Sequence, residues 1–155
     1  MLFGKKKSFE DIFTELQKDM NDICLEYVND NAQMVYIYGS CEGHTLCSDV
    51  FYRINDRILK KHKLNDAENG FVYDVSINVQ KQVIQILNED MSKIKELCAS
   101  NNRPMPTQIK LKYDVVSRKV NADYSYDVKY SDSVDKSADD VLNEWFDEES
   151  RSAFY

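Results

Sequence analysis

The chain has 155 residues, of which 43% are apolar, and its 20 basic and 27 acidic side chains give a net charge of −7. A chain of this length and composition can bury a core of its own, which predicts one globular domain over residues 1–155. No run approaches the roughly 20 apolar residues that cross a bilayer, and no apolar export signal follows the start, which predicts a cytoplasmic protein.

The first predicted element is an amphipathic helix that begins after Ser8 and ends near Val28. Ser8 is a favoured N-cap residue, and Asp11 three positions later can complete a capping box. Apolar residues then recur every three or four positions, as one face of a helix requires. They are Phe9, Ile12, Phe13, Leu16, Met20, Ile23, Tyr27 and Val28.

Two runs rich in β-branched and aromatic residues follow, and they predict a β-hairpin. The first covers residues 34–38, the second covers 45–54, and a turn signal separates them. A second turn signal comes after residue 54, so residues 57–60 can supply a third strand. The polar segment 61–70 is predicted to be a loop.

A second long helix is predicted to begin between Tyr73 and Val79 and to end near Cys98, because Pro104 prevents its continuation. Two runs of alternating apolar and polar residues come next, at 109–115 and 120–128. This alternation predicts a second hairpin with one buried and one solvated face. The order of elements predicts an α+β fold, in which an antiparallel sheet of two hairpins packs against two long helices.

The excess negative charge is concentrated at the end of the chain. Residues 131–155 hold eight acids and two bases, so this acidic C-terminal segment carries −6 of the net charge of −7. Ser137 is an N-cap candidate there, and Val141, Leu142, Trp145 and Phe146 give a short C-terminal helix one apolar face. The acids would repel phosphates, which argues against a nucleic-acid partner.

Residues that carry common enzyme chemistries are sparse, and we predict no catalytic residues, no enzyme activity and no cofactor. No glycine-rich phosphate loop or nucleophile elbow occurs among four scattered glycines. The spacing Cys41-x-x-His44-x-x-Cys47 offers three zinc-type ligands, but a closed zinc site needs a fourth, and no second cluster supplies it. We therefore expect reduced cysteines that act as small apolar fillers, with His44 in an exposed turn.

The order of motifs also has a counterpart in a known family. A helix leads into Val35-Tyr36-Ile37-Tyr38 and then Val50-Phe51-Tyr52, and a long helix ends before Arg103-Pro104. Ile109-Lys110-Leu111 and Ala122-Asp123-Tyr124-Ser125-Tyr126 form the hairpin, and an acidic segment with Trp145 closes the order. Over roughly residues 9–148 the chain resembles the YezG-like family of bacterial immunity proteins, also called antitoxins.

The resemblance implies a cytoplasmic protein that binds and neutralises a cognate toxin, often a nuclease with a basic cleft, by covering its toxic domain. Two alternatives stay open. One is a non-catalytic adaptor or chaperone-like binding module of a secretion system, and the other is a small metal protein or enzyme centred on Cys41, His44 and Cys47.

Acids attract a basic partner, and tyrosine and tryptophan are common interface residues, so we predict that residues of these types bind the partner. For Trp145, the competing expectation is that it docks the last helix on the sheet. The candidates are Asp139, Asp140, Glu144, Trp145, Asp147, Glu148, Tyr124 and Tyr126.

Overall fold

A five-stranded antiparallel sheet forms the centre of the computed structural model, which describes residues 6–152. Within that range the chain forms three α-helices, five strands and one short 3-10 helix, and the predicted α+β fold is confirmed. The helices are α1 (Phe9–Tyr27), α2 (Ile77–Ser100) and α3 (Ala138–Ser152). The strands are β1 (Met34–Glu42), β2 (Thr45–Ile54), β3 (Arg57–Lys60), β4 (Gln108–Asp114) and β5 (Lys119–Ser125).

The sheet has the strand order β3-β2-β1-β4-β5, so β1 lies at its centre and joins the two predicted hairpins. β1 pairs antiparallel with β2 on one side and with β4 on the other. Every residue of β1 after Met34 is buried. Because side chains alternate between the two faces of a strand, burial of consecutive residues requires a cover on both faces of the sheet.

The first cover consists of α1 and α2. Val35 and Ile37 of β1 share the larger core cluster with residues of both helices. The predicted capping box opens α1, since Ser8 and Asp11 exchange side-chain and backbone hydrogen bonds. Gly39 lets α2 come close to the sheet, because a Cβ at that position would lie only 2.6 Å from the Sδ atom of Met91.

The second cover is α3, and it corrects the expectation that one face of the sheet is solvated. Tyr36, Tyr38 and Phe51 lie on this face and share a second buried cluster with residues of α3. Lys110 and Lys112, whose alternation indicated a solvated face, are each only partly exposed. The structure therefore has three layers, with α1 and α2 on one face of the sheet and α3 on the other.

The segment 61–70 also differs from the predicted loop. Leu64–Ala67 forms a short 3-10 helix in which Leu64 and Ala67 are fully buried in the larger core cluster. Two apolar residues in a polar stretch gave too weak a periodic signal to predict this turn. None of the helices within residues 6–152 combines the length and the apolarity needed to span a bilayer.

A buried carboxylate lies in the larger core, next to the packing of α1 against α2. Asp90 is only 2% exposed, and its Oδ2 atom makes no hydrogen bond with the described residues. Burial raises the pKa of Asp90 to about 7, and the nearby carboxylate of Asp19 adds to the shift. The native state therefore favours the protonated form of this side chain.

This shift predicts a loss of stability as the pH rises. Because the native pKa of Asp90 lies above the ordinary value of 3.8, its favourable contribution is complete below about pH 4 and is lost as the pH rises through about 7. Asp90→Asn stays neutral, so its free energy of unfolding should exceed that of the parent by roughly 1–3 kcal/mol at pH 8 and by little at pH 4. Urea denaturation across this pH range measures the difference.

The exposed Asp22 of α1 supplies the control for this experiment, because Asp22→Asn removes a carboxylate that is not buried. Its stability should follow the pH profile of the parent. Parallel profiles for Asp90→Asn and the parent would show that the buried carboxylate is not the source of the pH dependence.

Candidate functional site

The exposed side of α3 is densely charged. Its carboxylates project from a 15-residue helix whose opposite side is buried against the sheet. The predicted acidic segment is described as far as residue 152, and all of its acids lie in that part. We define the acidic face of α3 as the exposed residues Asp139, Asp140, Glu144, Asp147 and Glu148.

The start of α3 is fixed by local hydrogen bonds. The backbone N–H and the hydroxyl of Ser137 both donate to Oδ2 of Asp140, at 2.8 and 3.1 Å. Asp139 and Asp140 lie in the first turn, where the helix dipole favours negative charge. Farther along, Lys136 pairs with Glu144 at 2.8 Å. Asp139, Asp147 and Glu148 form no ion pair with other described residues, so their charges are available to a partner.

Trp145 holds α3 against the sheet. It is 4% exposed, and its ring meets Phe51 edge-on at a centroid distance of 4.9 Å and Tyr36 at 5.9 Å. Its Nε1 atom donates to Glu149 at 3.2 Å, so the one polar atom of the ring has a partner. Trp145 thus docks α3 on the sheet, as the competing expectation stated. Its side chain lies on the buried side of the helix, opposite the acidic face.

Further contacts hold α3 along its length. Phe146 packs edge-on against Phe51 at a centroid distance of 5.3 Å. Lys112 of β4 pairs with Glu149 at 2.6 Å, and Lys60 of β3 donates to Asn143 at 2.6 Å. Because these contacts reach both sides of the central strand, the helix is fixed in position as well as in orientation.

A carboxylate clamp holds the connection that leads from β5 to α3. Glu42, at the end of β1, is 6% exposed and accepts hydrogen bonds from the backbone N–H groups of Lys129, Tyr130 and Ser131. Burial alone would raise the pKa of Glu42, but the hydrogen bonds from this segment outweigh it and lower the pKa. A buried hydrogen bond of 2.8 Å between the hydroxyls of Ser40 and Tyr130 adds a second attachment.

The two candidate tyrosines are separated from the acidic face. Tyr124 lies on the side of the sheet that carries α1, where Gln17 donates to its hydroxyl at 2.5 Å and Phe13 packs at a centroid distance of 5.6 Å. Tyr126 follows β5 and is 56% exposed. The structure therefore brings the acids together but divides the full candidate set between two surfaces.

The cysteine and histidine spacing does not form a cluster. Cys41 and Cys47 lie on paired strands, but Cys47 belongs to the side covered by α3, whereas Cys41 is on the side covered by α2. Burial raises the pKa of both thiols, and His44 is exposed in the turn between the strands. Among residues 6–152 no group of three or more His, Cys, Asp or Glu side chains is arranged to hold a metal ion.

A polar cleft of about 340 Å³ lies beside α3, between this helix and the strands β2 and β3. Lys61 pairs with Asp49 in its wall at 2.8 Å, and His62 and Asp139 lie at its rim. The sequence gave no indication of this cleft, because two of its basic residues, Lys61 and His62, come from a segment predicted to be a loop.

Comparison with known proteins does not identify a family for this chain. No protein-family model matches the chain, and no curated protein sequence matches it. The resemblance to YezG-like immunity proteins therefore remains a prediction from the order of motifs.

The contacts of Trp145 predict that its truncation detaches α3. Trp145→Ala should lower the free energy that holds α3 on the sheet by about 3–5 kcal/mol, as for other large aromatic residues in a core. Hydrogen exchange of the α3 amides should then accelerate by more than that of the β1 amides. Val134→Ala, at a residue that is 100% exposed, is the control and should leave both rates unchanged. Unaltered protection of α3 in Trp145→Ala would contradict the docking role.

Proposed function

We propose that this protein is an immunity protein that binds a cognate toxin domain, a nuclease with a basic cleft, and neutralises it by covering that cleft. The observation that carries the proposal is the acidic face of α3, which is held rigidly on the sheet. The order of motifs supports the same function. The protein acts by binding, and no catalytic step is assigned to its own residues.

The placement of the acids suits competition with a nucleic acid. Asp140, Glu144 and Asp147 recur at steps of four and three along α3, so they share one side of the helix at a spacing of roughly 5–6 Å between neighbours. A nuclease cleft holds basic side chains that otherwise bind phosphates. Carboxylates presented in a row can occupy those side chains and exclude the substrate.

The attachment of α3 favours tight binding. A charged segment that is ordered only on binding loses conformational entropy at that moment, which weakens the complex. Here the anchoring contacts of Trp145 and Glu149 order the helix before a partner arrives. Most of the electrostatic attraction is therefore available for steering and for complex stability.

Charge reversal on the acidic face tests the proposal. The variant Asp139→Lys/Asp147→Lys/Glu148→Lys changes three acids that form no ion pair with other described residues. It should associate with the cognate toxin domain about 10-fold more slowly or worse, with a weaker dependence on salt. Stopped-flow association rates and survival of cells that co-express the toxin domain measure the effect.

A matched variant separates the position of the charges from their number. Glu26→Lys/Asp66→Lys/Glu96→Lys makes the same change in net charge at exposed positions on elements that pack on the opposite face of the sheet. It should protect cells as the parent does. If the two triple variants slowed association equally, the net charge of the protein, and not the position of the acids on α3, would control the association rate. Failure of the parent to bind or protect would refute the function itself.

A further inference from the structure

The two edges of the sheet are built differently. β3, at one edge, has only four residues and has the buried 3-10 helix Leu64–Ala67 beside it. These are the features by which proteins protect an edge from pairing with another strand. β5, at the other edge, has seven residues without proline or glycine, and within residues 6–152 it pairs with β4 alone.

The outer side of β5 offers free backbone groups. The carbonyl of Ser125 accepts from Thr107 at 2.9 Å, so the backbone groups of the odd-numbered residues of β5 point inward, towards β4. Since successive residues of a strand direct these groups to alternate sides, those of Val120, Ala122 and Tyr124 point outward. They form a template for one additional antiparallel strand.

The exposed side chains of β5 carry opposite charges at equal distances on either side of Asn121. Lys119 lies two residues before Asn121, and Asp123 lies two residues after it, all on one face of the sheet and all exposed. When two such strands pair antiparallel about this residue, Lys119 of each strand faces Asp123 of the other. The strand is thus complementary to a second copy of itself.

We propose that two copies of this protein form a dimer by antiparallel pairing of their β5 strands, centred on Asn121. In this register the outward N–H and C=O groups of Val120 form hydrogen bonds with those of the partner's Ala122. By symmetry, Ala122 forms the same pair of hydrogen bonds with the partner's Val120. The two sheets then continue as one sheet of ten strands. The interface is isologous, as the twofold symmetry of most homodimers requires.

The neighbouring strand β4 extends the same charge pattern. Within one subunit Asp114 lies directly opposite Lys119 in the register of β4 and β5, and Lys110 lies directly opposite Asp123. In the dimer, a row of four side chains with alternating charge crosses the interface: Asp114, Lys119, the partner's Asp123 and the partner's Lys110. Opposite charges on directly paired residues stabilise a sheet, and like charges destabilise it, so this pattern selects one register.

The other face of β5 supplies apolar contact area. Val120 is 56% exposed and Tyr124 is 37% exposed, both on the side that carries α1. Pairing about Asn121 places Val120 opposite the partner's Ala122 and covers part of this exposed area. The buried side of α3 packs on β1, β2 and β3 and reaches β4 through Trp145 and Glu149, so α3 does not cover β5, and the dimer leaves the acidic face open. The proposal is therefore independent of the proposed function.

Two charge variants test the register directly. Lys119→Asp places an acid opposite Asp123 of the partner, and Asp123→Lys places two bases opposite each other. Each variant alone should raise the dimer dissociation constant at least ~10-fold, because two attractive pairs become repulsive. A mixture of the two restores opposite charges at both pairs, so the heterodimer should form where neither variant dimerises alone.

Sedimentation velocity of the full chain, run over a series of concentrations from about 1 to about 500 µM, measures these dissociation constants. Circular dichroism first establishes that each variant is folded. Ala122→Pro is an independent variant, because it removes an outward N–H group that makes no bond to β4. It should also give a monomer. A parent that stays monomeric up to the highest concentration, or a mixture of the charge variants that forms no heterodimer, would overturn the proposal.

Discussion

The structure depends on the burial of β1 from both sides. A strand whose consecutive residues are all buried needs a cover on each face of its sheet, and here α1 and α2 cover one face and α3 covers the other. On one face the missing side chain of Gly39 leaves room for Met91 of α2. On the other face Tyr36 and Phe51 receive Trp145 of α3. The position of every functional candidate follows from this central strand.

Much of the fold could be predicted, because its elements have strong local signals. The capping box at Ser8, the β-branched run that became β2 and the turn before β3 are all encoded within a few residues. The helix α3 was predicted from its apolar stripe, but no local signal showed that it would cover the second face of the sheet. Lysine can lie along an apolar surface while its charged end reaches solvent, so Lys110 and Lys112 looked like residues of an open face although α3 lies beside them.

The candidate site was predictable in part, because some of its residues also have a strong local signal. Consecutive acids on a short amphipathic helix indicate an exposed charged side, and the acids of α3 are exposed. The separation of Tyr124 from these acids was not predictable, because alternation shows that residues share a face but not which helix covers it. The Glu42 clamp depends on backbone groups 87 to 89 residues away, which no local pattern records.

The order in which the layers arise along the chain has a consequence for synthesis. The aromatic side chains Tyr36 and Phe51 belong to β1 and β2, yet the helix that covers them, α3, begins only at Ala138. At 5–20 residues per second, a ribosome needs roughly 4–17 s to add the intervening residues. During that interval an aromatic surface is exposed on the nascent chain, and a chaperone that shields such surfaces would act on this stretch before the last helix emerges.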